Sequence, residues 1–161
     1  MSLPTVKAVK DLFEGMLGRD VDTSPGDPVD TSASPGPMTG VYVDNRTTLS
    51  SLVLMDFALT AYVGAALGLV PPGGAEAAIE DGELSPALEE NAAEIMNVFA
   101  ALLSQSSGAH QRLYETYPAD RDRPADVAGW STALGSRRDL TVAVKGYGSG
   151  LLSIIETAPS P

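Results

Sequence analysis

Residues 87–105, ALEENAAEIMNVFAALLSQ, place apolar side chains every three or four positions, and this constrains the fold more than any other feature of the chain. At about 100° per residue, Leu88, Ala92, Ile95, Phe99 and Leu102 form one stripe, flanked by Met96, Val98 and Leu103. A stripe of that kind must be covered, so the segment is a helix lying on a core. Ser85 and Pro86 supply its N-cap and first turn, and the spacing predicts that it runs to about Gln105. On the far side Glu90, Glu94, Asn97, Ala101 and Ser104 form a second stripe, so Glu94 and Asn97 point outward together. Their neighbours Ala93, Ala100 and Ala101 are small where a solvated helix more usually carries Lys, Glu or Arg, which lets a partner come close.

The rest of the chain supplies what such a helix packs on. Val6, Val9, Phe13, Met16 and Leu17 fall at helical spacing in a first amphipathic helix that stops near Gly18. Residues 24–37, SPGDPVDTSASPGP, read as a flexible Pro/Gly-rich loop. Val41 and Val43, then Leu49, Leu52 and Leu54, read as two strands around an Asp44-Asn45-Arg46 turn. Asp56 caps a largely buried helix that Pro71-Pro72-Gly73-Gly74 terminates, and a short acidic segment follows. After the long helix come RLYETYP, a polar linker over 119–128 and a closing hairpin that turns between Gly146 and Gly150. The order implies an α+β fold, with helices packed on an antiparallel-rich sheet in two layers. Aligning Glu14-Gly15-Met16-Leu17 with Glu94-Ile95-Met96-Asn97 raises the expectation of a repeated helix-plus-strands unit.

Composition closes several chemistries. With 161 residues, 43% of them hydrophobic, the chain can bury one ordinary core, so 1–161 reads as a single domain. The absence of cysteine excludes disulfides, thiolate nucleophiles and Cys-based metal sites. A net charge of −11 leaves no basic stripe for nucleic acid, and partners should be neutral or carry basic patches. No segment reaches the roughly 18 consecutive apolar residues of a membrane span. Met1-Ser2-Leu3-Pro4 lacks the basic start and apolar core of a signal peptide, so the protein reads as cytoplasmic. His110 is the sole histidine and has no ligand-spaced neighbours, so it is assigned no metal. The run from Gly146 to Gly150 lies between strands rather than before a helix and is a turn, not a phosphate loop. No Gly-x-Ser-x-Gly elbow occurs, and Trp130, Tyr114 and Tyr117 read as packing residues.

Glu94-Ile95-Met96-Asn97, on an amphipathic helix that follows a buried helix and a strand pair, resembles the signature of the CheC/CheX/FliY chemotaxis phosphatases. That signature is Asp or Ser, then Glu four residues later, Asn three after that, and a Pro about two dozen residues downstream. Here Glu94, Asn97 and Pro118 match, while Glu90 stands where Asp or Ser is usual. The resemblance implies a phosphatase for the phospho-aspartate of a CheY-like receiver domain in two-component signalling. Asn97 would hold the attacking water and Glu94 would pair with a partner lysine, with Glu90, Ala93, Ala101 and Ser104 on the docking face. It implies no metal or cofactor of the protein's own, Mg²⁺ being carried by the receiver. One motif rather than two is closest to CheX-like members, which are dimeric, so a homodimer is implied as well. The departure at Glu90 keeps open an alternative, a catalytically silent receiver-binding or switch-type module of the same fold.

Overall fold

The computed structural model describes residues 3–157; Met1 and Ser2, on which part of the signal-peptide reading rests, lie outside them. Helix α1 (Val6–Leu17) leads into β1 (Val21–Pro25), then the hairpin β2 (Met38–Val43) and β3 (Leu49–Met55). Helices α2 (Phe57–Leu67), α3 (Pro72–Asp81) and α4 (Pro86–Ser107) follow. The chain closes with β4 (Arg112–Tyr117), α5 (Ala125–Ser131), β5 (Arg137–Val144) and β6 (Gly148–Glu156). No helix among the described residues is long and apolar enough to cross a membrane.

The six strands form one antiparallel sheet in the order β1-β5-β6-β3-β2-β4. Exchanging β1 with β4, β2 with β5 and β3 with β6 returns the same order reversed. Each half of the chain therefore contributes a leading helix and three strands, α1-β1-β2-β3 and α4-β4-β5-β6, with α2 and α3 between them and the short α5 inserted between β4 and β5. One face of the sheet carries α1, α2 and α4 over Val53, Met55, Val142, Leu152 and Ile154. Val29 and Val127 of α5 cover Val41, Leu52, Leu54 and Ile155 on the other. The period-two alternation of β3 and β6 is thus buried on both sides.

A polar clamp holds the second face. The fully buried Ser153 hydroxyl donates to Asp139 Oδ1 at 2.6 Å and accepts the Val29 N–H at 3.0 Å. Asp139 also receives Arg137, whose Nε lies 3.1 and 3.0 Å from its two oxygens. The same guanidinium reaches the Ala133 carbonyl at 2.7 Å, so the loop before β2, the end of α5 and both closing strands meet at these groups.

The expected helices, the two hairpins and the caps at Asp56 and Ser85 are present: Asp56 accepts from Leu59 N at 2.8 Å and Ser85 from Leu88 N at 3.2 Å. Three expectations are corrected. The 24–37 segment is not all loop, because Ser24 and Pro25 end the edge strand β1, whose partner β5 lies more than a hundred residues away in sequence. Pro71-Pro72-Gly73-Gly74 does not stop α2, which has already ended at Leu67 with Gly68 as its C-cap; it starts α3, with a proline in the first turn, where a missing N–H costs nothing. The 119–128 linker contains the start of α5. Of the aromatic residues read as packing, Tyr114 on the edge strand β4 is more than half exposed, Trp130 leaves 39% of its surface exposed, and Tyr117 is half-buried beneath the Arg121 guanidinium.

Candidate functional site

Helix α4 is tied to its surroundings along its length. Asn91 Nδ2 donates to the Gly64 carbonyl of α2 at 3.1 Å. At the C-terminal end Ser104 Oγ accepts the Gln111 N–H at 2.8 Å and lies 2.8 Å from the Ala100 carbonyl, joining the helix to the start of β4. A Cβ at Gly64 would lie 2.5 Å from the Leu88 carbonyl oxygen, which shows how closely α2 and α4 approach. Leu88, Ala92, Ile95, Met96, Phe99 and Leu103 are buried, so the apolar stripe is centred nearer Met96 and Leu103 than the spacing alone places it, with Leu102 at its margin.

On the outer side Glu90, Glu94, Asn97 and Ala101 are exposed and Ala93 is half-buried. Neither Glu94 nor Asn97 makes a side-chain hydrogen bond with any described residue. The pair therefore sits on a fixed helix with both side chains uncommitted, flanked by alanines. Ser104 lies on the same stripe, but its hydroxyl is committed to the α4–β4 junction. Pro118 closes β4 and begins a turn in which Arg121 N bonds to its carbonyl at 3.1 Å. That turn carries Asp120 beside Glu89 in the first turns of α4. Burial, then the Asp120 and Glu90 charges, raises the Glu89 carboxyl above its usual range. This end of the face is strongly anionic and favours a basic partner surface.

Matching buried and exposed positions along α1 and α4 aligns Val9, Phe13 and Leu17 with Ile95, Phe99 and Leu103. The repeat expected from Glu14 and Glu94 is six residues out of register. The α1 counterparts of Glu94 and Asn97 are Ala8 and Asp11, and Asp11 is taken by Lys7 Nζ at 2.8 Å. Glu14 belongs to the scaffold: it accepts Lys10 Nζ at 2.7 Å and the Val21 N–H at 3.0 Å. These two bonds hold its carboxyl below the usual range.

A cleft of about 770 Å³ between α1 and the β5–β6 turn is lined by Lys10, Glu14, Asp20, Asp22, Lys145 and Tyr147 among others, and includes no residue of α4. Its charges are mixed and Lys10 and Glu14 are spent on each other, so its size does not make it the better site. A protein partner needs an accessible face rather than a cavity. Among the described residues no group of three or more His, Asp or Glu side chains could hold a metal ion, and His110 is exposed on the loop after α4.

No protein-family model matches the sequence, and no curated protein matches it. Solved structures do. The FliM middle domain from H. pylori superposes with a TM-score of 0.62 at 9% identity, over 94% of this chain and 84% of that one. A chemotactic CheC-like protein from Shewanella oneidensis MR-1 gives 0.54 at 15% identity, over 96% and 95% of the two chains. FliY of Thermotoga maritima gives 0.51 at 16%, over 92% and 82%. This chain has the CheC/CheX/FliY fold. Within that fold α4 and its strand β4 open the second half-unit, and the Glu94–Asn97 face is the outer side of that helix. H. pylori FliM, which shares the fold, is also found in complexes with FliG and with SpeE.

Proposed function

We propose that the protein is a cytoplasmic phosphatase for the phospho-aspartate of a CheY-like receiver domain, working from the outer face of α4. The observation that carries this reading is the pairing of Glu94 and Asn97, exposed and unengaged on a helix anchored along its length. An acyl phosphate is already reactive, and the receiver's own Mg²⁺ neutralises the charge that develops, so the remaining task is to place a water. The Asn97 carboxamide accepts from and orients that water without repelling phosphoryl oxygens as a carboxylate would. The water oxygen bonds to phosphorus as the bond from phosphorus to the aspartyl oxygen breaks; the aspartate leaves as a carboxylate with that electron pair, and the water's two protons stay on the released inorganic phosphate or pass from it to solvent. Glu94 pairs with a receiver lysine and sets the docking register. Ala93 and Ala101 let the two proteins approach, Glu90 adds to the anionic rim, and no metal or cofactor of the protein's own takes part.

A second reading, a receiver-binding or switch-type module without turnover, is favoured by the better superposition on FliM than on the CheC-like protein and by Glu90 in the place of Asp or Ser. One experiment separates them: a dephosphorylation time course of phosphorylated receivers from the same cell, with and without the protein. Faster loss of phosphate supports the phosphatase. Stable binding without faster loss supports the module and ends the enzymatic reading.

A further inference from the structure

Tyr42, in the interior of β2, has no exposed surface, and its hydroxyl donates to the Met96 carbonyl oxygen at 2.5 Å. The Met96 sulfur lies 3.6 Å from the same hydroxyl. Met96 immediately precedes Asn97 and is two residues from Glu94, so this bond falls beneath the turn that carries both. Gly40, two residues earlier on the same side of β2, leaves the necessary room. A Cβ there would lie 2.9 Å from Met96 Sδ, 2.9 Å from the Tyr42 hydroxyl oxygen and 3.1 Å from Tyr42 Cε1. The ring therefore lies back over a glycine of its own strand to reach the helix.

The arrangement carries a cost that the fold alone does not require. Glycine in a strand interior loses backbone entropy and fills no space. A helical carbonyl is already satisfied by the N–H four residues on, so its second lone pair needs no partner. Phenylalanine would fill the site of Tyr42 with no hydroxyl to satisfy. Burial pushes the Tyr42 phenol well above its ordinary range, so the group stays a donor. The tethers at Asn91 and Ser104 hold α4 on either side; Tyr42 holds the turn between them.

We propose that Tyr42, with Gly40 making its room, is a positioning residue that fixes the height and rotation of the α4 turn presenting Glu94 and Asn97. The inference rests on the reading of that face as the working surface. A water held in line for phosphoryl transfer tolerates displacements of only a fraction of an ångström, so a tether directly under Asn97 acts on turnover.

The test compares the full chain with Tyr42→Phe, which removes one oxygen and keeps the ring, and with Gly40→Ala, which places a methyl at the same junction. Site-resolved amide exchange is measured along α4, together with kcat and KM on a phosphorylated receiver. In Tyr42→Phe the amides of residues 97–101 are expected to exchange about tenfold faster while those of residues 88–92 keep their rates within about twofold, a local opening rather than a global one. Gly40→Ala gives the same local pattern. kcat falls about five- to tenfold with KM unchanged within about twofold. A tyrosine that served only stability would raise exchange by one common factor along the whole helix and leave kcat per folded molecule intact; either result overturns the proposal. If the wild-type protein hydrolyses no phosphorylated receiver, the proposed function falls, and the exchange comparison still decides whether Tyr42 holds this turn.

Discussion

Phe13 of α1 and Phe99 of α4 meet edge to face, ring centroids 5.8 Å apart and planes at 74°, and they occupy equivalent places in the two halves of the chain. Both are fully buried. The contact lies where the two half-units join, so Phe99→Ala opens a cavity that neither half can close alone and should cost about 3–5 kcal/mol. The check is urea unfolding, where the midpoint falls with the slope unchanged.

The equivalence also locates what α1 lacks. Asp11 stands at the Asn97 position and is bonded to Lys7, and Ala8 stands at the Glu94 position. Asp11→Ala should therefore leave receiver dephosphorylation within about twofold of wild type, well under ~1 kcal/mol in the barrier. A larger loss in a steady-state assay would move the working face to the first helix.

Asn97→Ala should abolish turnover while leaving stability level or higher by a few tenths of a kcal/mol, up to about 0.7. Its side chain is exposed and bonds to no described residue, and alanine is the better helix former. Glu94→Ala should chiefly weaken docking, because the charge pair acts on the encounter. Binding titration beside the phosphatase assay distinguishes the two effects, and a clear fall in the urea midpoint of Asn97→Ala would make that residue part of the scaffold.

Ser153→Ala removes the partner of both Asp139 and the Val29 N–H inside a closed environment. Leaving these groups unpaired should cost about 1–3 kcal/mol. Turnover per folded molecule should not change, since the clamp lies on the sheet face opposite α4.

Stability should carry a signature of Glu14 at low pH. Its folded-state pKa is lowered by Lys10 and the Val21 N–H, so its contribution is complete above the ordinary glutamate value of about 4.3 and is lost as pH falls through the lower folded value. Asp56 acts with the opposite sign: burial raises its carboxyl, and the native state gains stability as pH falls through that raised value. The difference in unfolding midpoint between wild type and Glu14→Gln should accordingly be flat near neutrality and shrink below about pH 4.

Strong periodicity made α1, α4 and both hairpins readable, and a side-chain oxygen before each helix marked Asp56 and Ser85. The segments that escaped have weak local signals. Strand β1 contributes one fully buried residue, Val21, and is held by a ladder to residues far along the chain. Helix α3 begins on Pro-Pro-Gly-Gly, a sequence that reads as a breaker until alanines and acidic residues extend it. Helix α5 is seven residues long and buries only Val127 and Ser131. Glu94 and Asn97 were legible because helical spacing alone sets their common direction. Tyr42 was not, since nothing local to a strand residue reveals that its hydroxyl meets a carbonyl fifty-four positions later. The repeat register was also beyond four letters of identity, because burial rather than residue type aligns the two helices.

The reversed symmetry of the strand order has a further consequence. Strand β1 belongs to the first half but lies on β5 of the second, and β4 belongs to the second but lies on β2 of the first. Each half has given its outer strand to the other, while the seam between them is the β3–β6 ladder. Only the two hairpins close over short loops; the remaining ladders join distant parts of the chain and must pay that closure entropy together. Neither half is a miniature of the whole that could stand by itself. A chain cut between α3 and α4 would yield two fragments, each with a hairpin, its own helices and a homeless strand, and the native sheet would return only when they found one another.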